Sequence, residues 1–252
     1  MTYPKLRLDR SPTCHILSED PDLGQRIPAG RLDRAEDACI ARTLTVKRGR
    51  WSGQPAGDPR DGVGLLVLDG LLLRRVGVGG RFGAELLGAG DLLRPGDAGE
   101  IEPMLRAAAA WRALERSRLA VLDGTAMKLL VQYPEVIERL FARSIERARR
   151  LVVNMAIVHH PRVDVRLQMT FWHLADRWGR MDDGRVLVPL RLTHTVLADL
   201  IAARRPTVST ALSDLARRRV LFRVENGWLL ASEPPEALVE CAGTGRRLGA
   251  QR

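Results

Sequence analysis

"LIAARRPTVSTALSDLARRR" spans residues 200–219, and the fold turns on how its proline is read. As one amphipathic helix, the stretch puts Pro206 in the interior. There a proline costs roughly 3 kcal/mol, because it lacks an N–H and clashes with the preceding turn. As two helices, the same proline costs almost nothing, because the first turn of a helix has no use for that N–H. The second reading also orders the neighbours. Val208, Leu212 and Leu215 are spaced 4 and 3 and face inward. Thr207, Thr210, Asp214 and Arg217 fall on the opposite face, with Ser209 and Ser213 beside them and Arg204 and Arg205 at the N-terminal end. Upstream, "LTHTVLADLIA" gives a first helix that Thr193 can cap, with Leu197, Leu200 and Ile201 inward. Downstream, "VLFRVENGWLLAS" (220–232) predicts a hairpin with a type I′ turn at Asn226-Gly227. Helix, tight turn, helix and hairpin predict a winged helix-turn-helix over 161–232.

The side chains on that face suit double-stranded DNA. An arginine bridges guanine O6 and N7 with two hydrogen bonds. Threonine and serine hydroxyls bond bases or phosphates, and a helix N-terminus favours phosphate. Charge agrees. The chain has 252 residues and a net charge of +10. Residues 139–223 hold 17 arginines and 7 acids, which amounts to the whole excess. Clustered positive charge of this kind fits an anionic polymer.

Composition excludes several other classes. No apolar run approaches the ~18–20 residues that a membrane span needs, and the N-terminus lacks the apolar core of a signal peptide. The chain is read as cytoplasmic. Three cysteines, 14, 39 and 241, are far apart, and the five histidines show no ligand spacing. No metal and no cofactor are expected. Three lysines stand outside any Gly-Lys-[Ser/Thr], Gly-x-Ser-x-Gly is absent, and the glycines of 77–85 miss the dinucleotide-binding spacing. Asp182-Asp183 reads as solvated loop. An enzyme is not indicated.

Residues 1–40 read as an irregular segment. Over 41–124, short apolar runs alternate with glycine turns, which predicts an antiparallel β-roll. Leu65–Leu68, Asp69-Gly70 and Leu71–Val76 suggest a hairpin, Leu86-Leu87 and Leu92-Leu93 flank another turn, and 116–123 reads as a closing strand. After Gly124 the period changes. Ile137, Phe141, Ser144, Ala148, Leu151, Met155 and Val158 step by 4, 3, 4, 3, 4, 3, a heptad stripe on a helix from about Pro134 to His159. At 1.5 Å per residue that helix, within 125–160, runs roughly 39 Å, long for packing on a small roll alone. A two-stranded homodimer seam accounts for the length. Pro161 ends the helix, a second follows at about Val163–Trp178, "GRMDDGR" reads as a loop, and "VLVPL" (186–190) as a short strand. The tail, 233–252, reads as disordered.

Residues 192–223 resemble, without a gap, the winged helix-turn-helix of the cyclic-AMP receptor/Fnr superfamily of bacterial transcription regulators. The order roll, long helix, winged helix is similar over 62–231. The resemblance implies an α+β chain with a cyclic-nucleotide-binding-like roll. It implies base reading by Arg205, Pro206 and Thr210, with Ser209 beside them, and phosphate contacts from Thr193, His194 and Thr207. Arg204, Ser213 and Arg217 join the phosphate set as donors on the same face. It also implies a near-palindromic operator, a homodimer, RNA polymerase as a possible partner and a small-molecule effector of unknown identity. The sequence departs from the family in places. Pro206 stands where the family has an acid, Thr210 where it has a second arginine, and Ala202 where it has the turn glycine. In the nucleotide cassette, Gly90-Asp91-Leu92-Leu93 is followed by Arg94-Pro95 instead of Gly-Glu, and Ala107-Ala108 falls at the phosphate-holding Arg-Ser. Arg94 or Arg106 could still hold an anion. Cyclic AMP is therefore not the expected effector. The alternative reading is a non-catalytic module using the winged helix for ligand or protein contacts.

Overall fold

The computed structural model describes residues 12–53, 62–95, 107–231 and 233–234. Arg106 and the tail from 235 lie outside the described residues. The chain divides into two compact units. The first holds the chain to Leu151 except Phe82–Ala84, and the second holds those three residues and everything from Val152.

In the first unit, β1 (Thr13–His15), α1 (Ile16–Glu19), a 3-10 turn (Pro21–Gly24) and α2 (Ala29–Ala38) come first. From residue 12 on, the segment expected to be irregular is therefore structured. Its periodicity is faint because α2 is polar and buries only Ala35. Then follow β2 (Ile40–Val46), β3 (Gly49–Trp51), β4 (Gly64–Asp69), β5 (Leu71–Val78), β6 (Arg81–Gly88), β7 (Leu92–Leu93), β8 (Ala108–Ala113) and β9 (Ser117–Leu122). They form two antiparallel sheets, in orders β1-β2-β9-β4-β7 and β3-β8-β5-β6. Helices α3 (Gly124–Leu130) and α4 (Pro134–His159) complete the connection, and the boundary between units falls inside α4.

The alternation of strand side chains explains why β4 and β9 read as unbroken apolar runs. Leu65, Val67, Leu119 and Val121 join the core that also holds Leu72, Leu87 and Trp111. Their neighbours Leu66, Leu68, Ala120 and Leu122 point the other way, into a second core with Ile16, Leu17, Leu130 and Val136. Both faces of the sheet are thus covered, and each leucine so buried contributes about 1.5–3 kcal/mol.

The expected hairpin at Asp69-Gly70 does not form. β4 and β5 belong to different sheets, so the turn carries the chain across the roll. Gly70 has φ +96°, and a Cβ there would lie 2.3 Å from Ser117 Oγ, so only glycine fits the crossing. The turn expected between Leu86-Leu87 and Leu92-Leu93 is present at 89–90, and it too joins strands of different sheets, β6 and β7. The local hairpin is β5–β6, over Gly79-Gly80, both at positive φ. β9, expected as a closing strand, lies inside its sheet between β2 and β4.

Asp123 starts α3. Its carboxylate accepts from the N–H groups of Thr125 and Ala126 and pairs with Arg42 at 2.8 Å. Burial pushes its pKa up, but the Ala126 N–H, Arg42 and the Thr125 N–H outweigh that and hold it below the usual aspartate value. A depressed folded pKa adds stability above the unfolded value of about 4, and that stability is lost as pH falls through the folded value. Asp123→Ala is expected to cost about 1–2 kcal/mol in urea unfolding at pH 7. The deficit should shrink toward zero as pH drops below about 4. An equal deficit under strongly acidic and neutral conditions would contradict it.

The second unit holds α5 (Val163–Trp178), β10 (Arg180–Asp182), β11 (Arg185–Val188), α6 (His194–Leu200), α7 (Arg205–Arg217), β12 (Leu221–Val224) and β13 (Gly227–Leu230). The strands form one sheet, β10-β11-β13-β12. The stretch expected as a loop, "GRMDDGR", is a hairpin. Asp183 and Gly184 both have positive φ (+44° and +72°), as a two-residue type I′ turn requires. Leu167 and Phe171 of α5, Val196 and Leu197 of α6, Val208, Leu212 and Leu215 of α7, and Trp228 of β13 are all buried. Phe171 and Trp228 stack with ring centroids 5.0 Å apart. Among the described residues no helix is long and apolar enough to cross a membrane, and no His/Cys/Asp/Glu group could hold a metal.

Candidate nucleic-acid interface

The break between α6 and α7 is built from Ile201–Arg204. Thr193 caps α6 by accepting from the Val196 N–H. Arg204 is the N-cap of α7 and Arg205 its first residue, so Pro206 stands in the opening turn. Val208, Leu212 and Leu215 are buried, and α7 is stapled to α6 and α5 along that edge.

Ala202 makes the turn at φ +51°. An L-residue with a Cβ pays about 1–2 kcal/mol there, and glycine does not. Ala202→Gly is expected to stabilise the domain by roughly 0.5–1 kcal/mol after glycine's own entropy cost. Urea unfolding measures it, and a loss of stability would count against the strain.

The turn has a brace that sequence reasoning missed. Arg166 Nη1 donates to the carbonyls of Ile201 (2.9 Å) and Ala202 (3.4 Å), the open end of α6. Its other nitrogen, Nη2, donates to the Pro161 carbonyl at 3.5 Å. A cation at a helix C-terminus bonds otherwise orphaned carbonyls. Nothing in the local pattern marks Arg166 for this, because its partners lie 35 residues on.

The solvent face of α7 carries Arg204, Arg205, Pro206, Thr207, Thr210, Ser213 and Arg217, all exposed. Among the described residues neither Arg204 nor Arg205 takes part in an ion pair, whereas Arg217 is paired with Asp214. Thr210 and Ser213 donate to the carbonyls of Pro206 (3.2 Å) and Ser209 (3.0 Å), one turn back. Thr193 is exposed and His194 half-buried. Ser209 sits differently from the other polar residues of α7. It is half-buried, with its hydroxyl 2.9 Å from His194 Nδ1. It is tied to α6 rather than standing open on the solvent face of α7.

In the wing, the two residues between the strands are Glu225 and Asn226, and neither has positive φ. The expected type I′ turn at Asn226-Gly227 is therefore absent. Gly227 instead begins β13 at φ +153°, where a Cβ would meet the Val188 carbonyl oxygen at 2.1 Å. Its role is close strand approach.

The helix stripe is partly open. Phe141, Ser144, Ala148 and Met155 are exposed, Leu151 and Val158 half-buried, and Ile145 and Val152 extend the open apolar surface. Ile137 packs on the core of its own unit instead. The helix arginines are less available than their number suggests. Arg139 and Arg143 pair with Asp22, Arg143 also with Asp20, Arg147 with Glu85, and Arg150 with Asp91. These internal pairs remove four of the 17 arginines from the pool free to meet a polyanion.

In the cassette, Pro95 is buried and Ala107 and Ala108 are exposed. Gly90-Asp91 forms a tight turn in which Asp91 accepts from the Gly88 N–H at 2.9 Å. The aspartate is thus structural.

Comparison with known proteins agrees with the geometry. Residues 165–238 match the Crp-like helix-turn-helix domain family. A CRP-like cAMP-activated global transcriptional regulator of Mycobacterium tuberculosis is 28% identical over 179 residues, 70% of this chain and 78% of that protein. A CooA variant from Carboxydothermus hydrogenoformans superposes with a TM-score of 0.60 at 18% identity, covering 88% of this chain and 94% of that one. A CRP-family transcriptional regulator from Thermus thermophilus gives 0.56 at 20% identity, covering 80% and 97%. At such identities the structures speak for the fold, and the helix-turn-helix match speaks for the domain. Residues 165–238 are thus a Crp-like helix-turn-helix domain, in a chain that is similar in sequence to a CRP-like regulator and in fold to CRP-family proteins.

Proposed function

We propose that the protein is a DNA-binding transcription regulator that acts as a homodimer and reads the major groove with the N-terminal half of α7. The observation that carries this reading is the pair Arg204-Arg205, exposed and, among the described residues, free of carboxylate partners at the start of a well-braced helix. Arg205 is the base reader. Pro206 has no polar side chain, so it meets only apolar features such as a thymine methyl, and Thr210 adds a hydroxyl or methyl contact. Thr193, His194, Arg204, Thr207, Ser213 and Arg217 hold the backbone. The open seam of Phe141, Ile145, Ala148, Val152 and Met155, stepped 4, 3, 4, 3, is the dimer contact. Two recognition helices about one DNA turn apart then read a near-palindrome.

The effector is not cyclic AMP. The M. tuberculosis relative is named as cAMP-activated, but here Pro95 and Ala107-Ala108 offer neither a ribose carboxylate nor a phosphate-binding guanidinium. Calorimetry with cyclic AMP should give no saturable heat.

The function is tested by selecting bound duplexes from a random pool and titrating the best one against random DNA over a salt series. Binding should weaken steeply with salt while the preference persists. Salt-insensitive or sequence-blind binding would favour a protein-contact module instead.

A further inference from the structure

We infer that Ser209 is a positioning residue: it donates its hydroxyl proton to His194 Nδ1, fixing the imidazole proton on Nε2, and thereby presents that N–H to a phosphate of the DNA backbone. The inference rests on the DNA-binding reading above and reassigns Ser209 within it.

Four observations lead here. First, His194 Nδ1 and Ser209 Oγ are 2.9 Å apart and join α6 to α7 across 15 residues of sequence. Second, the direction of the bond follows from what Ser209 lacks. The hydroxyls of Thr210 and Ser213 send their protons to carbonyls one turn back in α7. Ser209 has no such carbonyl bond among the described residues, so its proton is available to Nδ1, and the inference takes Nδ1 as the acceptor. A neutral imidazole accepting at Nδ1 carries its hydrogen on Nε2. Third, the ring is held on another side by Trp228, whose centroid is 6.3 Å away and which itself stacks on Phe171. Fourth, Ser209 lies one turn from Arg205 on α7, so the ring it holds sits beside the edge assigned to base reading.

The chemistry then selects the ligand. A phosphate oxygen only accepts hydrogen bonds. The opposite tautomer would aim a lone pair at it. Without Ser209 the ring is free to take either form, so part of the contact is lost while the base-reading residues stay in place.

The experiment has two arms. In the free protein, 15N NMR of His194 should show the Nε2–H form in the wild type and a mixture in Ser209→Ala. On the selected duplex, one uncharged methylphosphonate at the contacted phosphate should weaken the wild type roughly tenfold. Ser209→Ala should bind the native duplex more weakly than the wild type, by less than the methylphosphonate costs the wild type. It should lose correspondingly less on the methylphosphonate duplex and select the same sequence as the wild type. Ser209→Thr should restore all three behaviours, which a mere folding defect would not. An Nδ1–H ring in the free wild type overturns the inference, as does an unweakened Ser209→Ala or one that selects a different sequence. An Nε2–H ring in a protein that ignores DNA overturns the phosphate role, and the fault then lies with the DNA-binding reading.

Discussion

Arg205→Ala is expected to bring the best operator down toward the affinity of random DNA. A bidentate arginine–guanine contact contributes about 1–3 kcal/mol of discrimination, which is roughly 5- to 150-fold on the preferred site. The same change removes one positive charge from the groove face, and that affects all sequences alike. The two effects separate in one titration. Specific binding should fall far more than non-specific binding, and the salt slope should change by no more than about one phosphate equivalent. Arg205→Lys should not restore the preference, because an ammonium has no planar fork to match O6 and N7. The structure gives the prediction its edge. Arg205 is exposed at the start of α7 and has no competing carboxylate among the described residues. A mutant that still tells its operator from random DNA would remove Arg205 from the reading set.

Glu85→Ala should be among the most destabilising single changes in the first unit. Glu85 is buried between two arginines, with Arg74 Nε at 2.5 Å and Arg147 bonded through both Nε and Nη2. Its side chain is only 9% exposed, and those of Arg74 and Arg147 are 30% and 20% exposed. Removing the carboxylate leaves two largely desolvated guanidinium groups without their counter-charge. Breaking a buried pair in this way costs about 3–5 kcal/mol. Much of that is the penalty on the orphaned partners, so the double variant Glu85→Met with Arg147→Met should recover part of it, with Arg74 still lacking its counter-charge. Urea unfolding of the three proteins checks both statements. A loss below about 1 kcal/mol for Glu85→Ala would mean that water already screens the cluster.

The helix-turn-helix was legible because its signals are local. A proline can sit cheaply only in the first turn of a helix, and Val208, Leu212 and Leu215 repeat with the helical period. Strand partnership was not local. Leu65–Leu68 and Leu71–Val76 look like two arms of a hairpin, yet each pairs with strands far along the chain, and Gly70 is needed for the crossing rather than for a two-residue turn. The polar helix Ala29–Ala38 hid because one buried alanine leaves no stripe. Thr210 and Arg217 are exposed on α7, as the helical period predicts, but no periodicity could tell that the Ser209 hydroxyl would lie against a histidine of the preceding helix. Nor could a count of charges reveal that arginines on α4 had carboxylates waiting for them as far as 123 residues away.

Those internal pairs have a kinetic consequence. With Arg139, Arg143, Arg147 and Arg150 each paired to a carboxylate of the first unit, those four charges are balanced locally and add little to the field that a distant polyanion meets. On the DNA-binding reading proposed above, steering toward a duplex then falls to the arginines without a carboxylate partner, Arg204 and Arg205 among them, and its effect belongs to the association rate, fading as salt shortens the reach of the field.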